Sequence, residues 1–231
     1  MSIDWKVFQQ RLANAGFDPG PVDGKPGART YAALLSFVAR RNVGDFGVKA
    51  GSILATMLPK YGITEAPGRL AQFLATTSHE TDDYTAFAES LYYTTPARLV
   101  KNWPSRFNLA SAMLYLRNEK KLAEKVYGGR FGNPPGRAYD FRGGGWIQTT
   151  FYANYLAAQK VTNLPLTVHP ELLHDPLTSI EPACAYWKGV GCNELADADP
   201  SGRRSRVKVN GGTIGLEDVL ARTARITKLL S

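Results

Sequence analysis

Two glutamates nine residues apart, Glu80 and Glu89, are the side chains of this sequence best suited to acid–base chemistry. Leu70, Phe73, Leu74 and Thr77 recur at helical spacing, which predicts a helix over Gly68–Glu80 with Glu80 or Thr81 next on the apolar face. A carboxyl group there meets desolvation and the negative end of the helix dipole, and both favour its protonated form. That is the form a general acid for glycosidic cleavage requires. A helix-end glutamate turned to solvent is the alternative.

Nine residues of unbroken helix turn through about 900°, so Glu80 and Glu89 on one helix would point apart. The chain must bend between them, and Asp82-Asp83-Tyr84 is the expected bend. Beyond it Phe87, Glu89, Leu91 and Tyr93 alternate with Ala88, Ser90, Tyr92 and Thr94, the pattern of a short strand. Two carboxylates facing each other across a cleft would suit a glycosidase. Asp82, Asp83 and Glu119 compete for the second role.

The other reactive side chains suggest less. His79 adjoins Glu80 but points about 100° away on a helix, so it reads as a partner or a core histidine rather than a catalyst. His169 and His174 lack metal-site spacing, and no metal or organic cofactor is expected. Cys184 and Cys192 read as buried free thiols. Trp146, Tyr93, Tyr92, Trp103 and Tyr155 could stack on sugar faces, Trp146 best of them because alternation puts it on one face with Gln148.

Several segments resemble one known family. Ala75-Thr76-Thr77-Ser78-His79-Glu80 is similar to the A-Q-x-x-H-E segment of glycoside hydrolase family 19 chitinases and their phage and bacterial lysin relatives. Glu89-Ser90-Leu91-Tyr92-Tyr93 resembles the E-N/S-L-x-Y that follows in the lysin branch. Val126-Tyr127-Gly128-Gly129-Arg130-Phe131-Gly132-Asn133 resembles V-Y-x-G-R-M-G-N. Tyr139-Asp140-Phe141-Arg142-Gly143-Gly144-Gly145-Trp146-Ile147-Gln148-Thr149-Thr150 resembles Y-R-G-R-G-x-I-Q-L-T, continued by Asn154-Tyr155. Pro170-Glu171-Leu172-Leu173, Ala185-Tyr186-Trp187-Lys188 and Val209-Asn210-Gly211-Gly212-Thr213 follow in the family's order.

The resemblance implies Glu80 as general acid and Glu89 as the general base that activates water, in one inverting displacement. Inversion requires carboxylates ~6.5–9.5 Å apart. It further implies Thr150 as a holder of that water, with Gln148, Asn154 and Asn210 bonding sugar hydroxyls and N-acetyl groups. Amides suit this because they donate and accept without charge. Three departures bear on what orients Glu80. Asp218 is followed by Val219, with Arg222 one turn on; Thr213-Ile214 stands where some relatives carry a glutamate; and Gly144 replaces an arginine.

The elements that must position these residues are mostly helical. Trp5, Phe8 and Leu12 mark a first helix stopped at Gly16, and a second runs from about Ala28 to Arg40. With the turn-rich stretch between them they resemble a small peptidoglycan-binding module over residues 1–44, the alternative being a segment that merely packs on the main domain; a catalytic domain over 45–231 follows. Residues 127–145 are rich in glycine and proline and read as loop. The expected fold is mainly α (α+β), a lysozyme-like two-lobed domain with short extended segments near 87–94 and 145–150.

Composition bounds the partners. The 231 residues carry 28 basic and 20 acidic side chains, a net charge of +8. Such a chain is drawn to polyanions, and the stretch Arg203-Arg204-Ser205-Arg206-Val207-Lys208 reads as solvated charge. No nucleic-acid motif accompanies the charge, and no apolar run reaches the ~20 residues of a membrane span. The expected partner is the glycan strand of peptidoglycan, with chitin as the alternative substrate and a non-catalytic wall-binding protein as the alternative function, and a monomer is expected. No secretory signal is read at Met1-Ser2-Ile3-Asp4-Trp5, so synthesis in a host cytoplasm and access to the wall after membrane permeabilisation are expected.

Overall fold

Asp4 opens the first helix: its carboxylate accepts hydrogen bonds from the Lys6 and Val7 N–H groups, which have no intrahelical partner. In the computed structural model, which describes residues 2–230, this cap leads into α1 (Trp5–Asn14), α2 (Ala28–Ala39), α3 (Gly44–Lys60) and α4 (Pro67–Glu80). Then come α5 (Pro96–Asn102), α6 (Leu109–Ala112), α7 (Glu119–Tyr127) and α8 (Tyr152–Thr162). The last four are α9 (Ile180–Gly189), α10 (Cys192–Ala198), α11 (Arg203–Asn210) and α12 (Leu216–Leu230). The fold is mainly α, as the periodicity predicts. No helix among the described residues is long and apolar enough to cross a membrane.

The chain divides into two compact units. Unit 1 takes the residues up to Phe87, Gly145–Ile147 and those from Asp175 onward. Its core joins Phe8, Leu12 and Leu34 from the first two helices to Leu54, Leu74, Trp187 and Ile226. Gln9, buried, stitches the turn-rich stretch after α1: its amide donates to Lys25 O and Thr30 Oγ1 and accepts from the Gly24 N–H. Residues 44 and 45, the expected boundary, form the first turn of α3.

α4 is enclosed more fully than a one-sided stripe predicts, since every residue from Leu70 to Ser78 is buried. Its polar members are matched from neighbouring elements. Gln72 donates to Asp199 O and accepts from Ser205 Oγ on α11, which offsets the cost of burying an amide. Pro67 occupies the first turn, where no N–H bond is lost. The helix ends at Thr81, whose hydroxyl donates to Thr77 O and accepts from the Tyr84 N–H. Asp82, Asp83 and Tyr84 then all adopt left-handed backbone, with φ of 48°, 57° and 63°. The expected bend is therefore a reversal of backbone hand over three non-glycine residues.

Trp146 belongs to this unit and corrects the sugar-stacking expectation. It is fully buried among Phe46, Tyr84 and Phe87, and its indole N–H donates to Pro176 O. Both faces and the polar edge are used internally, so Trp146 is a core residue. Cys184 and Cys192 are buried and unbridged. Burial pushes both thiols up, Cys192 to about 12.

Unit 2 comprises Ala88–Gly144 and Gln148–His174. One cluster gathers Leu91, Leu99, Phe107, Leu122 and Val126; another gathers Phe141, Tyr155, Leu166 and Leu173. The predicted strand over 87–94 is reduced to one antiparallel bridge between Ala88 and Gly144. The ladder stops because the Leu91 N–H donates to the Glu119 carboxylate instead of a strand partner. The extended segment expected over 145–150 is likewise a tight loop, closed by Gly144 and Thr149 bonding each other and turned by Gln148 at φ 51°.

Candidate active site

Each glutamate has its own setting. Glu80 is the last residue of α4, in unit 1, and its side chain retains 16% of its exposure. Its partner is Arg206 on α11, whose side chain is 1% exposed; Nη1 donates to Glu80 Oε1 and Nη2 donates to Ile214 O at 2.9 Å. A planar donor fork fixed at both Nη atoms leaves the carboxylate little freedom. Sequence reasoning missed this arginine by counting it with solvated charge. α11 carries no apolar stripe, so nothing in its pattern separates Arg206 from Arg203, Arg204 or Lys208.

Behind Glu80 lies a second ionic group in the same unit. Arg222 donates to Ser78 Oγ at 2.7 Å, to Asp83 Oδ1 and to Asp218 Oδ2 at 2.7 Å. His79 Nδ1 lies 2.8 Å from Asp218 Oδ2, in the partner role expected of it. Burial acts against the Asp218 charge, yet the bonds from His79 and Arg222 hold its carboxyl below the usual carboxylate range. The displaced arginine noted in the sequence thus ties the left-handed turn to α12, and orienting Glu80 falls to Arg206.

Glu89, in unit 2, is held without a salt bridge among the described residues. Oε1 accepts from the Tyr127 hydroxyl at 2.7 Å and Oε2 from the Gly143 N–H at 3.1 Å. Its backbone is clamped as well: its N–H donates to Gly143 O, and its carbonyl accepts from Arg142 Nε at 3.0 Å. Arg142 lies 4.0 Å from the centre of the Tyr139 ring, which fixes its plane. Burial raises the Tyr127 phenol, and the neighbouring Glu89 charge raises it further, so the hydroxyl stays a donor.

Two glycines make this geometry possible. A Cβ on Gly143 would stand 2.9 Å from Gln148 Oε1 and 3.3 Å from Glu89 Cβ. One on Gly144 would stand 2.6 Å from the His174 ring and 2.9 Å from the Tyr155 hydroxyl. Gly144 therefore occupies the arginine position of the family pattern because His174 and Tyr155 fill the space of a side chain. Tyr155 in turn donates to Arg142 O and lies 3.2 Å from His174 Nε2. Burial, then the nearby Arg142 charge, lowers His174 to about 4, so its imidazole is neutral at pH 7.

The other expected residues are distributed as follows. Gln148 meets Glu89 across Gly143. The Thr150 hydroxyl donates to Gln148 O at 3.0 Å, leaving its lone pairs to accept. Asn154, exposed, donates to Thr150 O at 2.8 Å and keeps its carbonyl oxygen for other partners. Tyr93 packs edge-on against Trp103, its hydroxyl accepting from Asn102 Nδ2. Asn210 is exposed at the end of α11, in unit 1. Among the competitors, Glu119 accepts from the Leu91 N–H and the Tyr139 hydroxyl, and Asp83 is taken by Arg222.

No protein-family model matches this chain. Over 155 residues it is 32% identical to a glycosyl hydrolase family 19 domain-containing protein of Haemophilus influenzae, covering 64% of this chain and 73% of that one. Its fold is similar to the crystal structure of chitinase C from Streptomyces griseus HUT6037, with a TM-score of 0.59 and 18% identity. That likeness covers 86% of this chain and 75% of the other, and it concerns the fold alone.

Proposed function

Starting from a chain that belongs to glycosyl hydrolase family 19 and is a glycoside hydrolase, we propose that it hydrolyses the β-1,4 bonds of bacterial peptidoglycan as a phage-type endolysin. Glu80 protonates the leaving sugar oxygen, and Glu89 takes a proton from the water that attacks the anomeric carbon, inverting it. Water and two carboxylates suffice for this step. Thr150 holds the water; Gln148, Asn154, Asn210 and Tyr93 bind the sugars. The reading is carried by how the carboxylates are held, Glu80 by the buried Arg206 and Glu89 by Tyr127 and the Gly143 N–H.

Peptidoglycan is preferred over chitin for the positive charge of the chain and for residues 1–44, which we read as a wall-binding module. The enzyme acts as a monomer and reaches the wall after the membrane is permeabilised. The chitinase-like fold favours chitin as the second reading. Mass spectrometry of digested peptidoglycan decides between them. A reducing muramic acid or glucosamine end is expected; an anhydro end sinks the hydrolytic mechanism, and products from chitin alone favour the second reading. Glu80→Gln and Glu89→Gln should each abolish clearing of permeabilised bacteria, and undiminished clearing by either overturns its assignment.

A further inference from the structure

Unit 2 carries a surface that holds none of the residues assigned above to glycoside hydrolysis. Leu109, Met113 and Leu114 are 61%, 65% and 65% exposed within six residues of chain. Leu109 and Met113, four apart around α6 and the 3₁₀ turn that continues it, lie on one face, and Leu114 is adjacent. Single exposed apolar side chains are ordinary; three together at this exposure are not. The turn is also not loosely packed. Ala112 is buried on its other side, and Asn108 and Ser111 close a reciprocal cap at its start. The apolar groups are held outward by a fixed backbone.

The charge around them has one sign. Between residues 98 and 125 there are seven lysines and arginines, all exposed, and two carboxylates, Glu119 and Glu124. Both carboxylates are turned inward, Glu119 on the Leu91 N–H and the Tyr139 hydroxyl, Glu124 on the Ala138 N–H. None of the seven cations enters an ion pair among the described residues. Lys121 Nζ lies 5.2 Å from the centre of the Tyr115 ring, next in sequence to Leu114, so charge and apolar surface adjoin.

We infer that this face, built on residues 109–121, docks the protein peripherally on an anionic lipid bilayer. The three apolar side chains enter the boundary between headgroups and acyl chains, while Arg117, Lys120 and Lys121 reach lipid phosphates. An anionic polysaccharide would satisfy the cations and leave the apolar groups in water, which is why the lipid fits better. The inference stands whichever glycan the enzyme cleaves.

Co-sedimentation of the full chain with vesicles tests it. Binding is expected to phosphatidylglycerol/phosphatidylcholine vesicles at low salt, weakening as salt rises, and not to pure phosphatidylcholine. Leu109→Gln/Met113→Gln/Leu114→Gln should weaken binding at least about tenfold, and so should Arg117→Gln/Lys120→Gln/Lys121→Gln. Both should retain hydrolysis of soluble glycan. A separate probe needs no loss of the patch: a fluorophore sensitive to polarity, attached at Leu114→Cys, should shift to the blue on anionic vesicles. Absence of binding, absence of that shift, or an apolar triple variant that binds like the parent each overturns the docking. Binding to a soluble anionic wall polymer that ignores the apolar substitutions would mark the face as a polysaccharide site instead.

Discussion

Arg206 and Glu80 form a buried pair whose members need each other. Removing the guanidinium alone leaves a carboxylate with little solvent and no counter-charge, so Arg206→Ala should lower stability by about 3–5 kcal/mol in urea unfolding. Removing both charges with Arg206→Met and Glu80→Gln should recover most of that loss. If the double variant is no more stable than the single one, the pair is not the source. Tyr127 acts differently, because its 2.7 Å bond to Glu89 is one hydrogen bond to a charged group. Tyr127→Phe keeps the ring and forfeits about 1.5–3 kcal/mol if the whole bond is felt in the transition state, a fall of roughly 10- to 150-fold in kcat with KM little changed. An unchanged kcat would mean that Gly143 alone positions Glu89. Neither partner was visible in the sequence. An ion pair between residues 126 apart, or a phenol reaching back 38 residues, leaves no periodic trace.

Elements were legible where an apolar period runs unbroken. α1, α2 and α4 follow their sequence patterns to within a residue or two, and Pro67 marks the start of α4 as its chemistry requires. The alternation over 87–94 misled, since a carboxylate from α7 takes the backbone donor that a strand partner would have used. Trp146 misled for a related reason: alternation predicts two faces only in a flat ribbon, and left-handed Gln148 breaks that geometry. The glycine run 143–145 read as loop, but its demand is steric. Gly144→Ala forces a methyl group against His174 and Tyr155 and should cost about 1–3 kcal/mol, with a fall in activity as the adjoining Gly143–Glu89 bonds shift. Calorimetry and turnover together check this. A variant as stable and active as the parent would show that His174 can swing aside.

At the scale of the whole molecule, connectivity links the two units. The chain passes between them at residues 87–88, 144–145, 147–148 and 174–175, so both segments of unit 2 are anchored at each end in unit 1. A loss of stability in unit 2 should therefore register in the unfolding of the entire chain. His174 supplies such a loss with a definite pH window. Its folded pKa is about 4 against 6.5 for the free side chain, set by burial first and by Arg142 second, with Glu171 and Asp140 opposing. Above pH 6.5 the imidazole is neutral in both states and its contribution is fully present. Between 6.5 and 4 the unfolded chain binds the proton and the folded chain does not, so stability falls as pH falls; below 4 both bind it and the loss levels off. The carboxylates held low by hydrogen bonds, such as Asp197 and Asp199, lose their contributions only below their ordinary value of 3.8, which separates the two effects. His174→Gln can still meet the Tyr155 hydroxyl and does not titrate, so its unfolding free energy should be flatter than the parent's from pH 6.5 to 4. Parallel slopes for the two proteins across that window would show that the proton is accommodated without cost, and that the packing of His174 against Gly144 and Tyr155 is looser than its geometry states.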